Sequence, residues 1–107
     1  MEFQRQAEKF SVARRCLMLP HRDGMADAIA DAFEACALGL RSLHRGTLDT
    51  RAVSWLARIE ELMRVDGIQG ATPRERFLIR ATQLSIDEQS DLSRLIDELA
   101  HWFSGRA

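Results

Sequence analysis

Asp27, Asp31 and Glu34 stand at i, i+4 and i+7. That spacing puts three carboxylates on one line of a helix, where like charges repel by about a few tenths of a kcal/mol per pair. Arginines from a neighbouring helix would suffice to compensate the row, helped at Asp27 and Asp31 by the positive end of their own helix. The sharper alternatives are a bound cation or the docking face of a basic partner. Leu38 continues the same line, and a leucine beside an acidic row is a candidate partner contact. Cys16 and Cys36 are the two thiols. A thiol becomes a nucleophile when a basic residue or a histidine lowers its pKa, and neither cysteine has one on its own helix face. Both lie in apolar helical patterns without a Cys-x-x-Cys pairing, so they read as small buried hydrophobes in a reducing compartment.

Glu98-Leu99-Ala100-His101 contains a Glu-x-x-His pair, which resembles half of a ferritin-like di-iron site. A whole site needs a second such pair and two further inward carboxylates, and the sequence has no second copy. Direction also counts against it. Relative to the centre of the apolar stripe, Glu98 lies about 100° away and His101 about 160° away, so both are expected to face solvent. His21 and His44 fall in a turn and at a helix end, and no histidine pairs with a cysteine or another histidine at ligand spacing. The serines lack a Gly-x-Ser-x-Gly turn and the six glycines never form a phosphate-cradling loop. The chain therefore reads as a non-enzyme with no cofactor and no metal.

Nucleic-acid binding needs a helix whose leading residues reach phosphates and bases. A helix led by Asp87, Glu88 and Asp91 would be repelled by the backbone. Arg41, Arg45, Arg51 and Arg58 are the better candidates, with Arg51, Ser54 and Arg58 sharing a face that Glu61 interrupts. They support the alternative of a small DNA-binding regulator. Overall charge does not help: 15 basic residues against 16 acidic ones leave a net charge of −1, too little to gather nucleic acid or an anionic membrane.

The elements that must position these residues are helical. Met25, Ile29, Phe33, Cys36, Leu40 and Leu43 recur at steps of three and four, flanked by alanines and Gly39, which predicts a core helix that neighbours approach closely on three sides. It is expected to run from Gly24, capped by Asp23, to Arg45-Gly46. A first helix is predicted from about Glu2 to Met18 on Phe3, Ala7, Phe10, Ala13 and Leu17, with Val12, Cys16 and Leu19 as an opposite stripe open to a partner. The third, from Asp49 or Thr50 to Asp66-Gly67, carries Ala52, Trp55, Leu56, Ile59, Leu62 and Met63. A short turn is expected to make it an antiparallel partner of the second.

Thr72-Pro73-Arg74-Glu75 combines a capping box with proline at the first helical position. It opens a brief fourth helix to about Gln83, with Phe77, Leu78, Ile79, Ala81 and Leu84 spread around it. Ser85-Ile86-Asp87-Glu88 is a second capping box, opening a fifth helix on Leu92, Leu95, Ile96, Leu99, Trp102 and Phe103, with a frayed tail over 104–107. The fold expected is all-α: one domain over residues 1–107, a compact and mostly antiparallel bundle of four longer helices and one short one. No apolar run is long enough to cross a bilayer and the N-terminus has no signal-peptide core, so a cytoplasmic protein is expected. Apolar surface beyond the needs of one small core then points to a self-associating adaptor, most simply a homodimer. Its interface candidates are Val12, Cys16, Leu19, Leu38, Leu78 and Ile79.

Overall fold

Local capping decides where two of the helices begin in the computed structural model, which describes residues 3–18, 24–41 and 43–106. Ser85 Oγ accepts from the Glu88 amide at 3.1 Å while the Glu88 carboxylate accepts from the Ser85 amide at 2.9 Å. Thr72 Oγ1 accepts from the Glu75 amide at 3.1 Å, with Pro73 as the first helical residue. The elements are α1 (Gln4–Met18), α2 (Met25–Leu40), a 3-10 turn (Arg45–Thr47), α3 (Thr50–Leu62), α4 (Pro73–Gln83) and α5 (Ile86–Ser104). Among the described residues there is no strand, and the chain is an all-α helical bundle.

α1 lies between α2 and α5, α4 leans on α2, and α3 packs on α5. The core is the junction of these helices: Phe10, Ile29, Phe33, Leu56, Ile59, Leu92, Leu95, Ile96, Leu99 and Phe103 are sealed from solvent. Phe3, Phe10, Trp102 and Phe103 join α1 to α5, Phe10 stacking on Phe103 at 5.4 Å and Phe3 tilted against Trp102 at 5.6 Å. The small residues of α2 let α1 come close. A Cβ on Gly39 would lie 3.1 Å from that of Lys9 and 3.2 Å from the Phe10 ring.

Several expectations need correction. α2 stops at Leu40 rather than Arg45-Gly46, because Arg41 turns extended and Leu43 and Leu48 pack on the core from the connecting segment instead of from a helix. Asp23 lies outside the described residues; Gly24 precedes the helix at φ 102°, a conformation that glycine adopts without strain. α3 stops at Leu62, whose carbonyl accepts from Arg80 Nε at 2.8 Å. The expected α2–α3 antiparallel pair does not form: residues 41–49 carry the chain across to α5, so each helix packs on a different neighbour. The tail does not fray as far as Arg106, whose guanidinium sits 3.9 Å over the Trp102 ring and donates to the Trp102 carbonyl; Ala107 lies outside the described residues.

Asp49 ties the ends of two helices together. One carboxylate oxygen accepts from the Ala52 amide at 2.8 Å, capping α3, and the other accepts from Trp102 Nε1 at 3.1 Å. The amide first and the indole second favour the charged form, holding this carboxyl below its ordinary range.

Candidate interaction groove

α2 packs on α1 and α4 while α3 packs on α5, and a gap remains between the C-terminal ends of α2 and α3, with Phe77 of α4 on a third side. The result is an open groove of about 860 Å³. Ala37, Leu40, Ala57, Met63, Val65 and Phe77 supply its apolar lining. Arg41, Glu60, Glu61, Arg64 and Asp66 stand around them, giving an apolar floor within a rim of both signs, the usual anatomy of a protein contact. Phe77 serves two surfaces, since it also tilts against the buried Phe33 ring at 5.5 Å.

Most of the rim charge is engaged within the chain. Arg45 reaches Glu60 at 2.8 Å, Arg64 reaches Asp66 at 3.1 Å, and Arg58 bridges Asp91 at 2.8 Å and Glu61 at 3.3 Å. Arg58, with Arg94 behind it, holds the Asp91 carboxyl below its ordinary range. Of the four arginines that suggested a nucleic-acid face, Arg45 and Arg58 are thus paired with carboxylates and Arg51 lies over the Trp55 ring at 5.2 Å. Arg41 is exposed at the groove.

The acidic row of α2 meets the arginine it called for. Arg74, in the first turn of α4, places one guanidinium against Asp31, Glu34 at 3.2 Å and Asp27 at 3.5 Å. Burial works against the Arg74 charge, and the hydrogen bonds to Asp31 and Glu34 more than offset it. Among the described residues no group of three histidine, cysteine or acidic side chains is arranged to hold a metal ion.

The interface candidates scatter. Val12 and Cys16 are half-buried against the core, since α1 is flanked on two sides. Leu38 and Leu78 are half-buried, and Ile79 is 39% exposed. Leu19 lies outside the described residues. Burial, then the nearby Asp31 charge, push the Cys16 thiol up, while complete burial pushes Cys36 much further. Both thiols therefore favour the protonated, unreactive form.

Glu98 is half-buried and His101 exposed. A cleft of about 290 Å³ between α1 and α5 gathers Ser11, Arg14, Asp97, His101 and Ser104, residue types that a hydrolytic triad uses. Asp97, however, is paired with Arg14 at 2.8 Å, and no hydrogen bond among the described residues joins His101 to Asp97 or to either serine. Sequence reasoning missed both this cleft and the groove. Only the apolar Met63 and Val65 beyond the last turn of α3 hinted at the groove. No family model matches the chain, and no curated protein or solved structure is similar to it.

Proposed function

We propose that the protein is a non-catalytic interaction module that pairs with a second copy of itself, using the groove between α2, α3 and α4 as its contact face. The apolar floor framed by both signs of charge carries this reading. A two-fold contact is self-complementary: each patch meets its own image, and with Glu60, Glu61, Arg64 and Asp66 already paired within the chain the rim brings little uncompensated charge against its copy. The apolar lining supplies the area removed from water, which is what drives such association.

Ala57 offers the cleanest test, being exposed and mid-helix in α3, so a change there leaves the core alone. Light scattering over a dilution series should show a dimer that Ala57→Glu converts to monomer, with the helical circular dichroism retained, because the new carboxylate would be desolvated without a partner. A strict monomer at tens of micromolar, or a dimer indifferent to Ala57→Glu, would remove the reading. Duplex DNA binding that weakens steeply with salt would favour a regulator working through Arg41 and its neighbours instead.

A further inference from the structure

We infer that α4 is a releasable cover, held over α2 by Arg74 and opening independently of the rest of the bundle. Its part as a wall of the contact groove rests on the reading above; its release does not. The burial pattern carries the inference. Of its own side chains α4 buries only Ala81, whereas each other helix buries between four and eight. Segments with so few buried apolar contacts open locally at a free energy well below that of global unfolding.

Polar contacts join a small apolar one in keeping α4 in place. Arg74 faces Asp27, Asp31 and Glu34, all four side chains being at least a third exposed, and Arg80 donates to the Leu62 carbonyl. Phe77 against Phe33 is its main aromatic contact, with Leu84 following the helix into the core. The connecting segment 63–72 lacks helix and includes Gly67 at φ 78°, and Leu84 and Ser85 alone separate α4 from α5. Lifting α4 would uncover the Phe33 ring and take Phe77 out of the groove lining. Contacts of this exposed, charged kind weaken as salt rises, so the cover is ionically latched.

Native-state hydrogen exchange on dilute monomer tests the release. Amides of α4 should exchange through an opening at least about tenfold more populated than those of α1 and α5. Arg74→Gln should raise α4 exchange a further fivefold or so, leaving α1 and α5 unchanged. In about 1 M NaCl, where the screening length is about 3 Å, the native protein should move towards the variant and the variant should scarcely respond. Exchange of α4 at the same free energy as α1 and α5, or an equal acceleration of all three by Arg74→Gln, would overturn the release. The link to the groove has its own readout: Phe77 of α4 lines the contact face, so a dimer formed there binds the closed form, and α4 exchange should slow as the protein is concentrated through its dimerisation range. A dimer in which α4 exchanges as fast as in the monomer would overturn that link while leaving the release standing. Absence of any dimer would instead count against the groove reading, with exchange still deciding whether α4 opens.

Discussion

Gly39→Ala sets two opposing effects against each other at the closest approach of α1 and α2. Gly39 is the penultimate residue of α2, where the change from glycine to alanine is worth at most the helix-interior figure of about 1 kcal/mol in favour of the folded chain. Against that, the new methyl would lie 3.1 Å from Lys9 Cβ and 3.2 Å from the Phe10 ring, while carbon atoms settle at about 3.5–4.0 Å. Neither neighbour can yield easily. Lys9 Cβ is fixed to the α1 backbone, and the Phe10 ring is sealed from solvent and stacked on Phe103. Relief therefore requires α1 to shift as a body, and overpacking of this kind costs about 1–3 kcal/mol. Taking about 2 kcal/mol for that cost, the variant should lose about 1 kcal/mol net, a fall in Tm of about 4–8 °C. Thermal and urea unfolding followed by circular dichroism measures it, with Gly46→Ala, where a Cβ meets nothing within 4 Å, as the control. Stabilisation of Gly39→Ala by about 1 kcal/mol would mean that the two helices part at no cost, and the claim that small residues set their spacing would fall.

Phe103→Ala should cost about 3–5 kcal/mol, because it empties the meeting point of Phe3, Phe10 and Trp102; urea titration reads the loss, and a change below about 1 kcal/mol would contradict the packing described. Asp49, Glu88 and Asp91 are all held below their ordinary values, so their stabilisation is complete above those values and disappears as pH falls through the lower folded ones. Midpoints of urea unfolding should thus drop on the acid side, and Asp91→Asn should flatten that limb. A thiol reagent should modify Cys36 only on unfolding, since its side chain is fully buried, whereas half-buried Cys16 should react slowly in the native state; rapid native labelling of both would contradict the burial.

Helix starts were legible in the sequence because caps are local. Thr72-Pro73 and Ser85 with Glu88 need only their own backbone to act, and each opens a helix where the pattern placed it. Helix ends were less so. Leu43 and Met63 keep an apolar period that reads as continued helix, yet the chain leaves the helix before either and uses both as packing from other conformations. Periodicity reports which residues prefer to be dry, and a loop can satisfy that preference as well as a helix can. The partner of α3 is illegible for a related reason: apolar period carried past the helix ends leaves only a short apparent turn, whereas nine residues separate α2 from α3 and α3 joins α5. Of the candidate site, the need of the acidic row for an arginine could be read, but not which arginine, since Arg74 is 40 residues away from Glu34. The groove itself has no local signature because α2, α3, α4 and the segment after α3 each contribute part of it.

Charge pairing and apolar exposure are connected in this molecule. Arg14, Arg45, Arg58, Arg64, Arg74 and Arg94 each have a carboxylate within 3.5 Å, so much of the field that could steer an anionic partner is cancelled at short range within the chain. Such exposed pairs contribute little each to stability, yet they fix where arginine stems lie and so keep the rim of the groove in place around its apolar floor. At α4 the same arrangement has a different effect. There the Arg74 network adds to a small apolar contact of Phe77, Ala81 and Leu84, so ions have a larger share in the attachment of this helix than in that of its neighbours. Phe77 belongs to both systems, touching Phe33 within the bundle and lining the groove outside it. On the proposed reading, whatever moves α4 therefore changes the contact surface, and salt becomes a control on association even though the contact itself is apolar.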